Sequence, residues 1–307
     1  MKNKLPYRVL LYYKYIYIED HVNYAKLHLN FCRSLGLKGR ILIAEEGING
    51  TLSGSEDQVK AYMYSMKMDP RFKDMDFKID QANEHAFKKL YVRPKKEIVT
   101  FNLDEDIDPN KLTGKHLKPK EFLEAMKDEN VIILDARNDY EYDLGHFKNA
   151  IRPDVRNFKE FPGWIKKNME KLADKKVLAY CTGGIRCEKF SGLLLKEGLK
   201  DICQLNGGII NYSKDPATKG SMFEGKCYVF DERISVEVNF AEGYTLVGKC
   251  YHCGKPHDRY VNCAHLSCHF QFICCEECEV NYKRSCSKKC EDAEDHEYRI
   301  QNSEFRI

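Results

Sequence analysis

The fold of this 307-residue chain is decided by the stretch Lys176-Val-Leu-Ala-Tyr-Cys-Thr-Gly-Gly-Ile-Arg-Cys-Glu-Lys189. Its first residues are apolar and predict a buried strand. After the glycines, Cys187, Phe190 and Leu194 recur at helical spacing, and Gly198 can end the helix. A buried strand that passes through a tight loop into a helix is typical of a parallel α/β sheet.

The loop between this strand and this helix has the composition expected around a reactive cysteine. The positive end of the helix dipole and the charge of Arg186 both favour a thiolate, so we expect the pKa of Cys181 to lie below the roughly 8.5 of a free cysteine. We predict that Cys181 is a nucleophile and that Arg186 assists it. The alternative is a structural cysteine at the end of a buried strand. The backbone of the loop is expected to support the developing anion through Thr182, Gly183, Gly184 and Ile185.

The central part of the chain alternates between helical and strand patterns. The strands are predicted, with helices between them, at 131–134, 177–180 and 202–205. Catalytic groups collect at the carboxyl ends of parallel strands, and both Asp135 and Cys181 follow strands in this way. We interpret Asp135 and Arg137 as a buried ion pair that supports the loop, and a direct part in chemistry is the alternative. Glu141 and His146 carry the same two interpretations.

The N-terminal part predicts an α/β unit with the element order βαββαβ, which is that of a ferredoxin-like domain. A basic segment follows it. Cations neutralise phosphates and exposed rings stack on unpaired bases, so we predict RNA binding by this segment. The alternative is a solvated basic strand whose aromatic residues face the core. The predicted RNA-binding residues are Lys88, Lys89, Tyr91, Arg93, Lys95 and Lys96.

Nine of the fourteen cysteines lie at or after position 250. In a reducing cytosol, clustered cysteines are more often metal ligands than disulfides. Pairs two to four residues apart can bind zinc tetrahedrally, and four such pairs suffice for two zinc sites. The spacing leaves the grouping of the ligands open, and reduced cysteines in a partly disordered tail are the alternative. The predicted ligands are Cys250, Cys253, Cys263, Cys268, Cys274, Cys278, Cys286 and Cys290.

The whole sequence therefore predicts an α/β multidomain protein. No stretch approaches the roughly 20 apolar residues of a spanning helix, and the N-terminus lacks the apolar segment of a secretory signal. We expect a cytoplasmic protein without a membrane partner. The net charge of +3 alone says little about nucleic acid. The predicted parts are a ferredoxin-like domain at 1–100, a linker at 101–118, a parallel α/β domain at 119–215, an extension that packs on it at 216–248, and a cysteine-rich, zinc-binding-like tail at 249–307.

Four motifs carry a resemblance to a known family: GRILIAEEGINGT from Gly39, HAFKKLYVRPKKEIVT from His85, DARNDYEYDLGHF from Asp135 and CTGGIRCEK from Cys181. The last two resemble the rhodanese signature, and the whole order resembles the rhodanese-domain tRNA uridine hydroxylases (tRNA hydroxylation protein O type). This resemblance implies a rhodanese-like fold for 119–215. It also implies oxygen-dependent formation of 5-hydroxyuridine at the wobble position (34) of tRNA, with Cys181 as the active cysteine. It does not imply a metal.

Uracil chemistry makes the implied activity intelligible. Carbon 6 of uracil is electrophilic, and a thiolate added there makes carbon 5 nucleophilic. Our hypothesis is that Cys181 adds to carbon 6, while Arg186 and the Gly183 and Gly184 amides stabilise the thiolate or the enolate. The basic segment would hold the anticodon arm, and molecular oxygen would be the cosubstrate. No sequence pattern for a flavin or nicotinamide site is visible.

Two other functions fit the same residues. In the first, the protein is a sulfurtransferase of the tRNA-thiolation or thiosulfate type, in which Cys181 carries a persulfide and passes sulfur to an acceptor such as tRNA. Cys187 could then resolve or relay the sulfur. In the second, the protein is a non-catalytic, zinc-containing RNA-binding module. The intact Cys181 and Arg186 argue against this second alternative.

Overall fold

The computed structural model describes residues 5–298. Residues 1–4 and 299–307, which belong to the predicted first domain and to the predicted tail, lie outside the described residues. Within residues 5–298, no helix combines the length and the apolar character that crossing a membrane requires.

The N-terminal domain is built on one mixed five-stranded sheet. Its strand order is β4-β1-β3-β2-β5, and the first four strands have the predicted βαββαβ order, which is thereby confirmed. The fifth strand, β5, is an added edge strand that runs parallel to β2. The elements are β1 (Tyr7–Tyr15), α1 (His21–Ser34), β2 (Lys38–Ala44), β3 (Gly47–Ser55), α2 (Glu56–Met68), β4 (Lys78–Ala82) and β5 (Leu90–Pro94).

Alternation along β1 gives this sheet two different faces. Leu10 and Tyr12 are buried in the core beneath α1 and α2, whereas Val9, Leu11 and Tyr13 line a cavity on the opposite face. Successive side chains of a strand point to opposite faces, so one strand serves both the core and the cavity.

The central domain holds a parallel sheet of order β6-β10-β9-β7, and the prediction of a parallel sheet is confirmed. Strand β6 and the core residues Phe101 and Ile107 lie inside the predicted linker 101–118, so this domain recruits residues before 119. The elements are β6 (Lys115–Leu117), α3 (Pro119–Ala125), β7 (Val131–Asp135), α4 (Asp139–Leu144), β8 (Gly145–Phe147), α5 (Phe161–Leu172), β9 (Lys176–Tyr180), α6 (Ile185–Lys196), β10 (Ile202–Leu205) and α7 (Gly208–Lys214).

The extension after α7 packs on the central domain. Phe223, Cys227 and Val238 belong to the same core as Leu205, and the first short strand of the extension pairs antiparallel with β8. The cysteine-rich tail follows. The elements are β11 (Phe223–Gly225), β12 (Cys227–Tyr228), β13 (Ser235–Val236), β14 (Tyr260–Asn262), β15 (Gln271–Ile273), α8 (Glu276–Asn281) and α9 (Lys288–Glu291).

A buried lysine on α6 joins the central domain to the segments before it. The Lys189 side chain is fully buried, and its ammonium lies 2.8 Å from a carboxylate oxygen of Glu46, 3.1 Å from Glu97 and 2.7 Å from Asp106. A buried ammonium is costly unless it is paired, and three carboxylates pair it here. This contact fixes α6, and with it the reactive loop, against the N-terminal domain.

Replacing this lysine should destabilise the protein strongly. The Lys189→Met variant leaves three carboxylates without their cation, and removing one partner of a buried ion pair costs about 3–5 kcal/mol. We expect a loss of at least about 3 kcal/mol in the free energy of unfolding, measured by urea denaturation. The matched control is Lys196→Met on the same helix, whose partner Glu105 is largely exposed; it should change stability little. Equal effects of both substitutions would contradict the role of Lys189.

Candidate active site and metal centres

The reactive loop folds around the sulfur of Cys181. The Gly184 backbone N–H donates a hydrogen bond to Cys181 Sγ at 3.2 Å. Gly184 has a φ of +101°, which a glycine adopts without strain, and α6 begins at the next residue. The Cys187 N–H donates to the Gly184 carbonyl oxygen at 3.1 Å. The loop therefore turns the Gly184 N–H and the start of α6 toward the sulfur.

The turn between β10 and α7 supports the loop from behind. The Ile209 N–H donates to the Cys181 carbonyl oxygen at 3.0 Å, and the Ile210 N–H donates to that of Thr182 at 3.1 Å. Gly208 packs so closely that a Cβ there would lie 2.5 Å from the Cys181 carbonyl oxygen. This contact explains why the stretch after β10 carries consecutive glycines.

The surroundings of Cys181 favour its thiolate although the side chain is fully buried. Burial alone would raise the pKa. The hydrogen bond from the Cys187 thiol, the charge of Arg186 and the N–H groups of Cys187 and Gly184 outweigh burial and lower the pKa of Cys181 to about 6. Burial and the neighbouring Cys181 sulfur raise the pKa of Cys187 well above its ordinary value. The two cysteines therefore differ in protonation near neutral pH.

Arg186 is held in place by a buried carboxylate. Its guanidinium makes two hydrogen bonds to Glu141, at 2.5 and 2.8 Å, and a longer one of 3.3 Å to the Thr182 hydroxyl. Glu141 is fully buried, and although burial would raise its pKa, Arg186 holds that pKa below its usual value. Arg186 therefore acts as a positioned charge beside the loop.

Asp135 and Arg137 form a fully buried ion pair behind the loop. The Arg137 guanidinium donates to both carboxylate oxygens of Asp135 and to the Gly145 carbonyl oxygen at 2.7 Å. Neither residue lines the cavity next to Cys181. His146, for which the sequence also left open a part in the chemistry, stacks on Tyr142 and likewise does not line the cavity.

A cavity of about 300 Å³ lies over the loop. Its floor includes Cys181, Thr182, Gly183, Ile185 and Arg186, and its roof is the open face of the N-terminal sheet. The roof residues include Leu11, Tyr13, Arg40, Asn49, Thr51 and Lys78. Tyr13 also reaches across to α6, where its hydroxyl donates to Glu188 at 2.9 Å. The candidate site is therefore shared between the two domains.

The extension supplies a wall of the cavity that sequence reasoning missed. Phe230 is 51% exposed, and the Arg186 guanidinium lies 5.8 Å from its ring centroid. Arg233 pairs with Asp80 of β4 at 2.6 Å and with Asp231 at 2.7 Å. These residues follow Cys227 in a stretch with no recognisable catalytic pattern. Their position depends on how the extension packs, which the sequence does not reveal.

The predicted RNA-binding residues lie on or beside the edge strand β5, and all six are exposed. Tyr91 and Arg93 pair in register with Arg40 and Leu42 of β2, which line the cavity. Paired residues of neighbouring strands share one face of a sheet. Tyr91 and Arg93 therefore extend the cavity face of the sheet to its edge, where the Arg93 guanidinium lies 4.9 Å from the Tyr91 ring centroid.

The tail brings eight cysteines into two groups, and each group can hold a metal ion. The sulfur atoms of each group lie within 4.8 Å of one another. The Cys253–Cys275 separation is 3.8 Å, and Cys286 lies 3.6 Å from both Cys268 and Cys290. The groups are Cys250, Cys253, Cys275 and Cys278, and Cys263, Cys268, Cys286 and Cys290.

One predicted metal ligand is replaced by its neighbour. The first group contains Cys275 and not the predicted Cys274. Adjacent residues at the end of β15 point in different directions. The Cys274 thiol instead donates to the Cys275 carbonyl oxygen, and burial raises its pKa to about 12. The sequence could not distinguish the two because the pairs 274/278 and 275/278 both fit ligand spacing.

Three protein-family models match the chain. The UPF0176 acylphosphatase like domain matches residues 7–98, the rhodanese-like domain matches 118–215, and the rhodanase C-terminal model matches 224–291. Together they span the sheet domain, the domain with the Cys181 loop, and most of the extension and tail.

Full-length relatives are similar over nearly the whole chain. A protein of Bacillus licheniformis named tRNA uridine(34) hydroxylase is 61% identical over 290 residues, which cover 94% of this chain and 89% of that protein. A protein of the same name from Bacillus velezensis is 57% identical, covering 95% and 90%. One from Bacillus cereus is 56% identical, covering 98% and 94%.

The lowered pKa of Cys181 predicts the pH dependence of its alkylation. The folded pKa lies below that of a free thiol, so the reactive thiolate persists down to about pH 6 and is lost below it. We expect the iodoacetamide reaction rate at Cys181, followed by peptide mass spectrometry, to reach half its maximum near pH 6. Arg186→Met should move that midpoint upward. Cys32, whose pKa burial raises to about 12, is the internal control and should stay unmodified. A Cys181 midpoint near roughly 8.5 would refute the assignment.

Proposed function

The chain belongs to the tRNA uridine(34) hydroxylase family, and from this membership and the geometry of its site we propose that it converts the wobble uridine of tRNA into 5-hydroxyuridine. The family predicted from the motifs is confirmed by these relatives. The observation that carries the proposal for this chain is a stabilised thiolate on the floor of a cavity between the N-terminal sheet and the reactive loop.

The size of the cavity suits one nucleoside. About 300 Å³ is at the lower end of the range for small-ligand sites, and it is too small for a base pair. A base in an anticodon loop is unpaired, so presenting it to such a pocket costs little. The Phe230 ring at the wall offers a surface on which a base can stack.

The chemistry assigned to Cys181 is addition to carbon 6 of uracil. The thiolate attacks carbon 6, and the resulting enolate makes carbon 5 the site that accepts oxygen. The Gly184 N–H supports the thiolate directly, at 3.2 Å from the sulfur. Arg186, positioned by Glu141, adds a positive charge beside the sulfur. Asp135 and Arg137 contribute by holding the loop.

Binding of tRNA is assigned to the cavity face of the N-terminal sheet. The anticodon arm would lie across β5, with phosphates near Lys88, Lys89, Arg93, Lys95 and Lys96 and a base against Tyr91. This assignment rests on two features: these side chains are exposed, and the register of β5 places Tyr91 and Arg93 on the face that roofs the cavity. The cytoplasm, which holds the tRNA pool, is the proposed location.

Molecular oxygen is the proposed source of the new hydroxyl group. Replacing the hydrogen on carbon 5 by a hydroxyl group uses one oxygen atom of the molecule. The second oxygen atom must leave as water, which requires two electrons and two protons. The proposed activity is therefore an oxidoreductase reaction that needs a two-electron donor.

The two cysteine groups are assigned as structural zinc sites. A tetrahedral zinc–thiolate site has zinc–sulfur bonds of about 2.3 Å, which place neighbouring sulfurs about 3.8 Å apart. Three sulfur–sulfur separations in the tail, of 3.6 to 3.8 Å, match this value, and all sulfur atoms of each group lie within 4.8 Å of one another. The Nδ1 atom of His265 lies at hydrogen-bonding distance, 3.3 Å, from Cys290 Sγ. This hydrogen bond comes from outside the group of four cysteines and orients Cys290 as a ligand. Bound zinc would stabilise the folded tail, whose own hydrophobic core is small.

The Cys181→Ser variant tests the chemical assignment. We expect no detectable 5-hydroxyuridine in tRNA from cells that carry only this variant, because a hydroxyl group does not ionise near neutral pH. Binding of purified tRNA should be unchanged. Nucleoside mass spectrometry after growth under isotopically heavy oxygen distinguishes hydroxylation from thiolation, whose products share a nominal mass. Heavy oxygen found in 5-hydroxyuridine from cells with the Cys181→Ser variant would contradict the assignment.

A complementary variant separates binding from chemistry. Reversing charge at Lys95 and Lys96, with glutamate at both positions, should weaken tRNA binding and flatten its salt dependence, while alkylation of Cys181 stays unchanged. Unaltered tRNA affinity would place the RNA elsewhere. The Cys181→Ser variant should therefore change only the modification, whereas the variant at Lys95 and Lys96 should first change the tRNA affinity.

Zinc content tests the metal assignment. We expect about two zinc ions per chain in the purified protein, measured by elemental mass spectrometry. Cys275→Ala should lower this to about one, and its matched control Cys274→Ala should retain both, because only Cys275 belongs to a group of four sulfurs. Loss of zinc from Cys274→Ala with full zinc in Cys275→Ala would reverse the ligand assignment.

A further inference from the structure

A second cysteine lies beside the reactive one, and the addition step gives it no bond to make or break. Cys187 is fully buried in the same core cluster as Cys181. It sits in the first turn of α6, where its N–H donates to the Gly184 carbonyl oxygen at 3.1 Å while the Gly184 N–H donates to Cys181 Sγ at 3.2 Å. Cys187 does not line the cavity. It therefore lies in the core beside Cys181 and outside the cavity lining.

The position of Cys187 beside the nucleophile is that of a resolving thiol. A cysteine that accepts an oxygen atom as a sulfenic acid condenses readily with an adjacent thiol to form a disulfide. Resolution needs a second thiol near the first, and Cys187 shares one buried core cluster with Cys181. Cys227 is also fully buried, but it belongs to a different core cluster and its thiol donates to the Tyr228 carbonyl oxygen at 3.6 Å.

We propose that Cys181 and Cys187 together supply the two electrons of the hydroxylation and end each turnover as a disulfide. This proposal rests on the hydroxylase function proposed above and deepens it, because it names the reductant at the site. It makes Cys187 a direct participant in the reaction and molecular oxygen the oxidant.

The atoms and electrons of this scheme balance. Oxygen adds at carbon 5 of the enolate, and the Cys181 thiolate leaves carbon 6 as the proton on carbon 5 is lost. The thiolate then takes the outer oxygen atom, so the oxygen–oxygen bond breaks and 5-hydroxyuridine forms with a sulfenic acid on Cys181. The Cys187 thiol displaces that oxygen as water and forms the sulfur–sulfur bond. In sum, uridine, oxygen and two thiols give 5-hydroxyuridine, water and one disulfide.

The scheme predicts that the enzyme stops after one turnover unless an external thiol reduces it. Fully reduced, metal-loaded, full-length protein is mixed with excess tRNA in aerated buffer without reductant. We expect about one 5-hydroxyuridine per chain, and further product only after a small dithiol is added. Turnover well beyond one equivalent without any reductant would overturn the proposal.

Peptide mapping identifies the disulfide. Trypsin cleaves after Arg186, so Cys181 falls in the peptide Val177–Arg186 and Cys187 in the peptide Cys187–Lys189. The two peptides should be joined after the single turnover and separate before it. Product formation with both thiols still free would contradict the proposal, whatever the variants show.

Variants assign the role of each thiol. Cys187→Ser should still form about one product, but Cys181 should then be trapped as a sulfenic acid by a dimedone probe and no linked peptides should appear. The matched control is Cys203→Ser, a buried cysteine in the core of another face of the sheet, which should behave as the wild type. A Cys187→Ser protein with no trapped sulfenic acid and normal multiple turnover would refute the assignment.

The same experiment distinguishes failure of this inference from failure of the proposed function. If wild-type protein forms no 5-hydroxyuridine even with the dithiol present, the hydroxylase proposal fails. If it forms 5-hydroxyuridine while the two cysteines stay reduced, only the dithiol proposal fails, and the electrons come from another donor.

Discussion

A buried thiolate is the interaction on which the rest of the site depends. Placing a negative sulfur at a fully buried position is unfavourable unless hydrogen bonds and positive charge compensate it. In this protein the compensation comes from the Gly184 N–H, the Cys187 thiol and the charge of Arg186. Each of these is itself fixed, because Glu141 holds Arg186 and the turn at Gly208 supports the loop backbone. The ionised form of Cys181 therefore depends on several elements of the fold together.

Helix α6 connects this thiolate to the rest of the molecule. Successive residues on a helix point about 100° apart, so four consecutive positions cover the whole circumference. Arg186 meets Glu141, Cys187 meets Cys181, Glu188 meets Tyr13 and His116, and Lys189 meets three carboxylates. One helical turn thus bonds the reactive loop to the central domain and to the N-terminal sheet. The cavity forms where these contacts place the two domains face to face.

The N-terminal sheet both forms the core of its own domain and covers the cavity. One face buries the core under α1 and α2, and the other face is free to line the cavity and to continue onto the edge strand β5. The extension closes a further wall with Phe230 and Arg233. A substrate bound above Cys181 would contact three separate stretches of the chain. This arrangement explains why neither domain alone would contain the complete site.

The sequence by itself determined the local features. The strand, the glycine loop and the helix around Cys181, the βαββαβ order and the cysteine pairs of the tail all follow from patterns within a few residues, where spacing and backbone preference decide the outcome. The tertiary structure decided which distant groups meet. Glu141 lies 45 residues before its partner Arg186, Phe230 reaches the cavity only because the extension folds back, and Cys275 rather than Cys274 joins the first metal group. Such contacts depend on packing and side-chain direction, which short-range patterns do not encode.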